Sequence, residues 1–159
     1  MRRAIEEACN GVSSGVGGPF GAVVVDGNGT VIGVGRNEVV RTNDVMCHAE
    51  IMAIRQATTT LKRPWIPECV LFTSCYPCPM CLAACMWAHI GTIVYAGTPQ
   101  DAERAGFKDA EFYANFGISS NCHEFGELKL RKIQGMKQEE IQKPFDVWLA
   151  SELSTTHPY

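Results

Sequence analysis

The chain has 159 residues, 46% of them apolar, and a formal charge of −3. That length fits one domain with a sizeable core. The acidic balance argues against general nucleic-acid affinity, which leans on Lys and Arg neutralising phosphates, and no run nears the about 18 apolar residues of a membrane span. Lys129-Leu130-Arg131-Lys132 is a small basic cluster that reads as a solvated strand or turn. Eight cysteines, several crowded around a C-x-x-C pair, suit a reducing compartment better than a disulfide framework, which makes the cytoplasm the expected location.

In chain order, residues 2–14 read as a helix with Ala4, Ile5, Ala8 and Cys9 on one side. This start lacks the apolar core of a signal peptide. Gly15-Val16-Gly17-Gly18-Pro19 breaks the helix. Residues 20–25 and 30–35 are apolar β-rich runs joined by Asp26-Gly27-Asn28-Gly29, a hairpin signal. Asn43 and Asp44 offer caps for a helix over 47–58. A short strand over 71–73 is led by Cys69 and Val70, and a helix over 78–89 has Pro77 and Pro79 at its start. A strand over 92–96, short helices over 99–116 broken at Gly106, a strand over 127–133 and a final helix over 138–153 complete the order. A hairpin followed by alternating helices and strands predicts an α/β fold, a mixed sheet with helices packed on it.

Two motifs carry the chemistry. Cys47-His48-Ala49-Glu50 contains H-x-E, and Pro77-Cys78-Pro79-Met80-Cys81 contains P-C-x-x-C, with 29 residues between His48 and Cys78. One imidazole and two thiolates suit Zn²⁺ with a fourth tetrahedral position left open for water. Glu50 is spaced to handle protons rather than to bind the metal. His48 and Glu50, two apart, share no helix face, so they converge only off the end of a helix. The upstream caps put them in a first turn. Cys78 also falls at a helix start, where the partial positive charge favours thiolate. H-x-E with P-C-x-x-C is the signature of zinc nucleobase deaminases, in which the glutamate is the general acid and base.

Cys75, Cys78, Cys81 and Cys85 also spell the C-x₂-C-x₂-C-x₃-C spacing of bacterial iron–sulfur ferredoxins. Met86 stands where that motif has proline, the segment from Cys81 to Ala88 favours helix, and a cluster would leave His48 and Glu50 unused. Cys75 and Cys85, with Cys9, Cys69 and Cys122, read instead as small hydrophobes. His89 and His157 read as surface or helix-end residues, and His123 beside Cys122 has no second ligand pair.

The chain resembles the cytidine deaminase superfamily, and within it the bacterial guanine deaminases and their plant guanosine deaminase relatives. The resemblance rests on Gly17-Gly18-Pro19-Phe20-Gly21-Ala22-Val23, Gly35-Arg36-Asn37, the two metal motifs, Ala105-Gly106-Phe107-Lys108-Asp109 and a terminal Tyr159. It implies a three-layer α/β/α fold around a central five-stranded mixed sheet. It implies one Zn²⁺ per chain held by His48, Cys78 and Cys81, with Glu50 shuttling protons. It also implies that Asn37 and the Ala49 backbone hold a purine, that Phe20 and Trp87 line the slot, and that Asp109 reads the base and shares proton transfer. Finally it implies a homodimer that exchanges residues 138–159, with Tyr159 closing the partner's pocket.

From the residues alone, each of these has a plainer reading. Asn37 is a turn residue, Phe20 and Trp87 are core, Asp109 is a helix cap and Tyr159 is a frayed end. The chain departs from the family at Tyr76, where glutamate is usual, and at Lys108, where aspartate is usual. Tyr76 would alter the pocket rim, and Lys108 would lower the pKa of Asp109 if the two approach. The expected activity is hydrolytic deamination of a free purine, guanine to xanthine and ammonia. The alternatives are deamination of guanosine, another aminated heterocycle or a tRNA adenosine, and, in another class, a structural zinc module or an iron–sulfur protein.

Overall fold

The Asp26-Gly27-Asn28-Gly29 turn follows from its residues. Asp26 Oδ1 accepts the backbone N–H groups of Asn28 and Thr30 at 2.9 and 2.8 Å, and Gly29 takes φ +84°. The turn joins strands β1 (Gly21–Val25) and β2 (Val31–Arg36) in an antiparallel hairpin. The computed structural model describes residues 1–119 and 122–156.

Helix α1 (Arg2–Ser13) precedes the hairpin, and a one-turn helix α2 (Val39–Thr42) follows it. Then come α3 (Ala49–Leu61), β3 (Val70–Cys75), α4 (Pro79–Trp87) and β4 (Thr92–Gly97). The second half adds α5 (Pro99–Arg104), α6 (Asp109–Asn115), β5 (Glu124–Phe125), β6 (Leu128–Lys132), α7 (Gln138–Leu149) and α8 (Leu153–Thr156). The sheet order is β2-β1-β3-β4-β6-β5, with β3–β4 and β4–β6 parallel and the other pairs antiparallel.

Among the described residues the sheet therefore has six strands, not the five expected. The added strand is β5, a two-residue edge piece pairing Glu124 with Lys129 and Phe125 with Leu128. It is too short to show alternation. The final helix is also shorter than expected: Ala150 closes α7, and Leu153–Thr156 forms the separate α8.

Helices cover both faces of the sheet. Ala22, Val24, Leu71 and Ile93 share a core with Ala49, Ala53 and Ala57 of α3 and Leu82 and Cys85 of α4. On the other face, Ile5 of α1 and Ile141 of α7 pack with Ala96 of β4. Alternate residues of one strand thus feed opposite layers. β2 lets α3 come close because Gly35 faces it: a Cβ there would collide with the carbonyl of Ala49. This contact seats the N-terminus of α3, and so His48 and Glu50, against the sheet. No helix among the described residues is long and apolar enough to cross a membrane.

Candidate active site

His48 is the N-cap of α3 and Cys78 the N-cap of α4, each with extended backbone, so both side chains leave just where a helix begins. Cys81 lies in the first turn of α4 and is fully buried. His48 Nδ1 sits 3.5 Å from Cys78 Sγ and 3.7 Å from Cys81 Sγ. Tetrahedral Zn²⁺, with Zn–S of about 2.3 Å and Zn–N of about 2.0–2.1 Å, requires an N···S separation of about 3.6 Å. The three donors fit zinc, with Nδ1 as the imidazole ligand. Among the described residues, His48, Cys78 and Cys81 form the group whose ligand atoms converge on one point. Cys75 and Cys85 do not join it. Cys75 packs with Ala102 and Phe107, and Cys85 lies in the main core, so the ferredoxin spacing is not realised in space.

In the metal-free group one ligand, Cys78, is already a thiolate, while His48 and Cys81 hold protons. Cys78 is driven down to about 4 by the Cys81 and His48 hydrogen bonds, against the opposing effect of burial. Burial works against the His48 imidazolium, but the hydrogen bond and charge of Cys78, then Glu50 and Asp109, raise it to about 9. Cys81 is pushed well up by its bond to Cys78 and by burial.

Glu50 is buried behind the ligands. Its Oε1 accepts the Thr73 hydroxyl at 2.9 Å, and its Oε2 accepts the Cys81 thiol at 3.4 Å. Burial first, then the Cys78 charge, raises its pKa.

A cavity of about 350 Å³ opens onto this centre, lined in part by Phe20, Asn37, His48, Glu50, Tyr76 and Asp109. Phe20 meets Phe107 edge-to-face at 4.8 Å, giving an aromatic wall. Asn37 is buried just after β2, and its Oδ1 accepts the backbone N–H groups of Gly18 and Val39 at 3.1 and 3.2 Å. That commits the oxygen and fixes the amide's orientation. Gly17 makes room for it, since a Cβ there would collide with the carbonyl and side-chain oxygens of Asn37. Asp109 begins α6 and is raised to about 6 by burial, then by Cys78. Ala49 has its side chain in the core, and its N–H is among the leading amides of α3 that have no intrahelical acceptor.

Three expectations need correction or closer definition. Trp87 neither lines the slot nor enters the core. It is 81% exposed, because α4 turns Cys81, Leu82 and Cys85 inward and Trp87 falls on the opposite side. Lys108 does not act on Asp109. Its Nζ pairs with Glu111 at 3.6 Å, and the Asp109 shift is upward. Tyr76 does line the cavity, but its hydroxyl donates to the carbonyl of Cys122 rather than to the rim. The expectations for His157 and Tyr159 lie outside the described residues. His89 is a helix-end residue as read, at φ +59° just after α4.

Sequence reasoning passed over Thr73 and Tyr113. The signal for Thr73 was a hydroxyl pair, Thr73 and Ser74, ending an apolar strand run shortly before Cys78. For Tyr113 it was a tyrosine one helical turn after Asp109.

A mixed sheet presenting a His/Cys/Cys group at two helix N-termini, with a buried glutamate behind it, defines a zinc-dependent hydrolytic deaminase. The comparisons agree. The model of the cytidine and deoxycytidylate deaminase zinc-binding region matches residues 1–97, and the chain belongs to that family. It is 47% identical over 113 residues to guanine deaminase of Bacillus subtilis, covering 71% of this chain and 72% of that one. The X-ray structure of the Bacillus subtilis enzyme superposes with a TM-score of 0.71 at 40% identity, over 94% of this chain and 90% of the other. A structure from work on A-to-I editing by transfer-RNA wobble-position deaminases superposes with a TM-score of 0.66 at 30% identity, over 84% and 95% of the two chains.

Proposed function

We propose that this protein deaminates guanine to xanthine and ammonia. The observation that carries the reading is the cavity in which the metal group, Glu50, Asn37 and Asp109 meet. Similarity to the Bacillus subtilis enzyme supports guanine as the base.

His48, Cys78 and Cys81 hold Zn²⁺, which supplies Lewis acidity and lowers the pKa of water to about 7. Glu50 takes a proton from the attacking water at Oε2, the oxygen that Thr73 does not engage and that Cys81 frees once it is a thiolate. It returns that proton to the ring nitrogen beside the attacked carbon, then carries the proton of the newly added hydroxyl to the amine as the C–N bond breaks, so that water's two protons are both used and ammonia leaves. Asn37, its Oδ1 already committed, offers its NH₂ to an acceptor on the purine. Asp109 faces donors on the base, the Ala49 amide adds a hydrogen bond, and Phe20 with Phe107 confines the ring.

The reading includes a cytoplasmic enzyme, in keeping with eight cysteines that are all free. It also includes a homodimer in which the C-terminal segment crosses over and Tyr159 covers the partner's pocket. Val45 and Phe112 at the cavity mouth are 72% and 57% exposed, an apolar rim suited to such a cover. Deleting Pro158 and Tyr159 should preserve zinc and lower kcat/KM. Unchanged kcat/KM, or a monomer by sedimentation, removes this part.

Glu50→Ala tests the chemistry. Zinc content should stay at one per chain while turnover falls at least about a thousandfold, within the range general acid–base catalysis supplies. Normal ammonia release by Glu50→Ala refutes the mechanism.

A further inference from the structure

Helix α6 has one buried residue, Tyr113. It lies four positions after Asp109, so the two share a helix face. The Tyr113 phenol donates to the carbonyl of Pro77, the residue before Cys78. Its ring packs against Tyr76 with centroids 5.7 Å apart. One side chain therefore ties the helix that bears Asp109 to the loop that bears a metal ligand.

The segment around α6 is bounded by two glycines in left-handed backbone, Gly106 at φ +95° and Gly117 at φ +66°. A Cβ on either would meet nothing within 4 Å, so backbone conformation and not crowding calls for glycine there. Lys108, Asp109, Glu111 and Phe112, all between these glycines, form one wall of the cavity. Glu111, Phe112 and Phe116 are exposed, so besides Phe107 at the segment's start, buried against Phe20 and Trp148, Tyr113 is the buried side chain that holds the segment down.

We propose that Tyr113 is a positioning residue whose hydroxyl latches α6 to the Pro77 carbonyl and so holds Asp109 at the pocket in register with the metal loop. The proposal rests on the reading of Asp109 as the acid that meets the base. Without the latch α6 stays folded but shifts between the Phe107 anchor and Gly117. Asp109 then samples positions from which it cannot reach a bound purine. The metal ligands and Glu50 belong to α3 and α4 and stay in place, so the loss falls on substrate binding.

Tyr113→Phe removes the hydroxyl and keeps the ring. Tyr113→Met is the second variant, should the first fail to fold. Each is compared with wild type as the zinc-loaded full chain. Three quantities are read: zinc content, amide hydrogen exchange over residues 106–117, and KM and kcat for guanine. The latch predicts unchanged zinc, exchange about tenfold faster in that segment, and KM about tenfold higher with kcat within about threefold, the scale of one lost hydrogen bond. Adding Asp109→Asn to Tyr113→Phe should raise KM little further, because the two act through one contact. Unchanged exchange overturns the proposal, and so does loss of zinc, which would make Tyr113 a support of the metal loop alone. If wild type does not turn over guanine, the functional reading fails by itself. Exchange then decides the latch: faster exchange upholds it and unchanged exchange overturns it.

Discussion

The Thr73 hydroxyl donates to Glu50 Oε1 across 2.9 Å, with Thr73 fully buried on β3 and Glu50 buried in the first turn of α3. The sheet thus orients a carboxylate that a helix supplies. Thr73→Val keeps the shape and removes the donor. We expect kcat to fall about 10- to 100-fold, corresponding to about 1–3 kcal/mol for a stranded buried acceptor, with zinc retained. Thr73→Ser should keep most of the activity. Steady-state kinetics with metal analysis checks both, and wild-type kcat in Thr73→Val contradicts the role.

Metal uptake should release protons. Near pH 7.5 Cys78 is already thiolate at about 4, His48 holds its proton up to about 9, and Cys81 is a thiol. Binding requires neutral His48 and a Cys81 thiolate, so about two protons should leave per zinc, and apparent affinity should rise with pH through and beyond about 9, because Cys81 is held well above its ordinary 9. Calorimetric titration of chelator-stripped protein in buffers of different ionisation enthalpy measures the number. A value near zero would show the ligands to be deprotonated beforehand.

Asn37→Asp keeps an oxygen for the Gly18 and Val39 amides but replaces the NH₂ donor with a second acceptor. KM for the base should rise at least about tenfold, the factor that 1.4 kcal/mol of lost binding represents. Thermal stability should change by only a few degrees. Unaltered KM places the base elsewhere in the cavity.

Asp101 gives the protein a distinct acid response. It closes a capping box with Thr98, accepting that residue's backbone and hydroxyl donors at 2.7 and 2.8 Å, and accepts Gln142 of α7 at 2.6 Å. Burial raises its pKa, but these bonds and Arg104 bring it below its ordinary 3.8. A depressed carboxylate stabilises the fold above 3.8 and loses that contribution as pH falls through the folded value. Asp101→Asn should cost about 1–2 kcal/mol at pH 7, in the range of a lost helix cap. The difference from wild type should be smaller at about pH 3 than at pH 7, because the contribution of a depressed carboxylate is lost as pH falls below its unfolded value toward its folded one. Urea melts at both pH values test this, and a pH-independent difference contradicts it.

Much of the site was legible because metal chemistry constrains spacing tightly. His48, Cys78 and Cys81 lie on two helix starts, as the motif and the prolines beside Cys78 require, but Asn43 and Asp44 do not cap α3: Asn43 closes α2, and His48 itself is the N-cap. The hairpin was legible from one aspartate and its glycines. What was not legible depends on tertiary packing. Trp87 is apolar and helical, yet only the orientation of α4 on the sheet decides that it faces out. β5 exists because β6 offers an edge, not because Glu124 and Phe125 favour a strand. Thr73 and Tyr113 gain their roles from partners 23 and 36 residues away, and no local pattern marks such pairs.

The most direct measurement is substrate choice. Purified zinc-loaded protein is incubated with guanine, guanosine, adenine, cytidine and a tRNA anticodon stem-loop, and ammonia release and ultraviolet spectra are followed. The account predicts xanthine and ammonia from guanine with the highest kcat/KM of the panel, abolished by chelation and restored by Zn²⁺. Turnover of guanosine or tRNA adenosine in preference to guanine would contradict it.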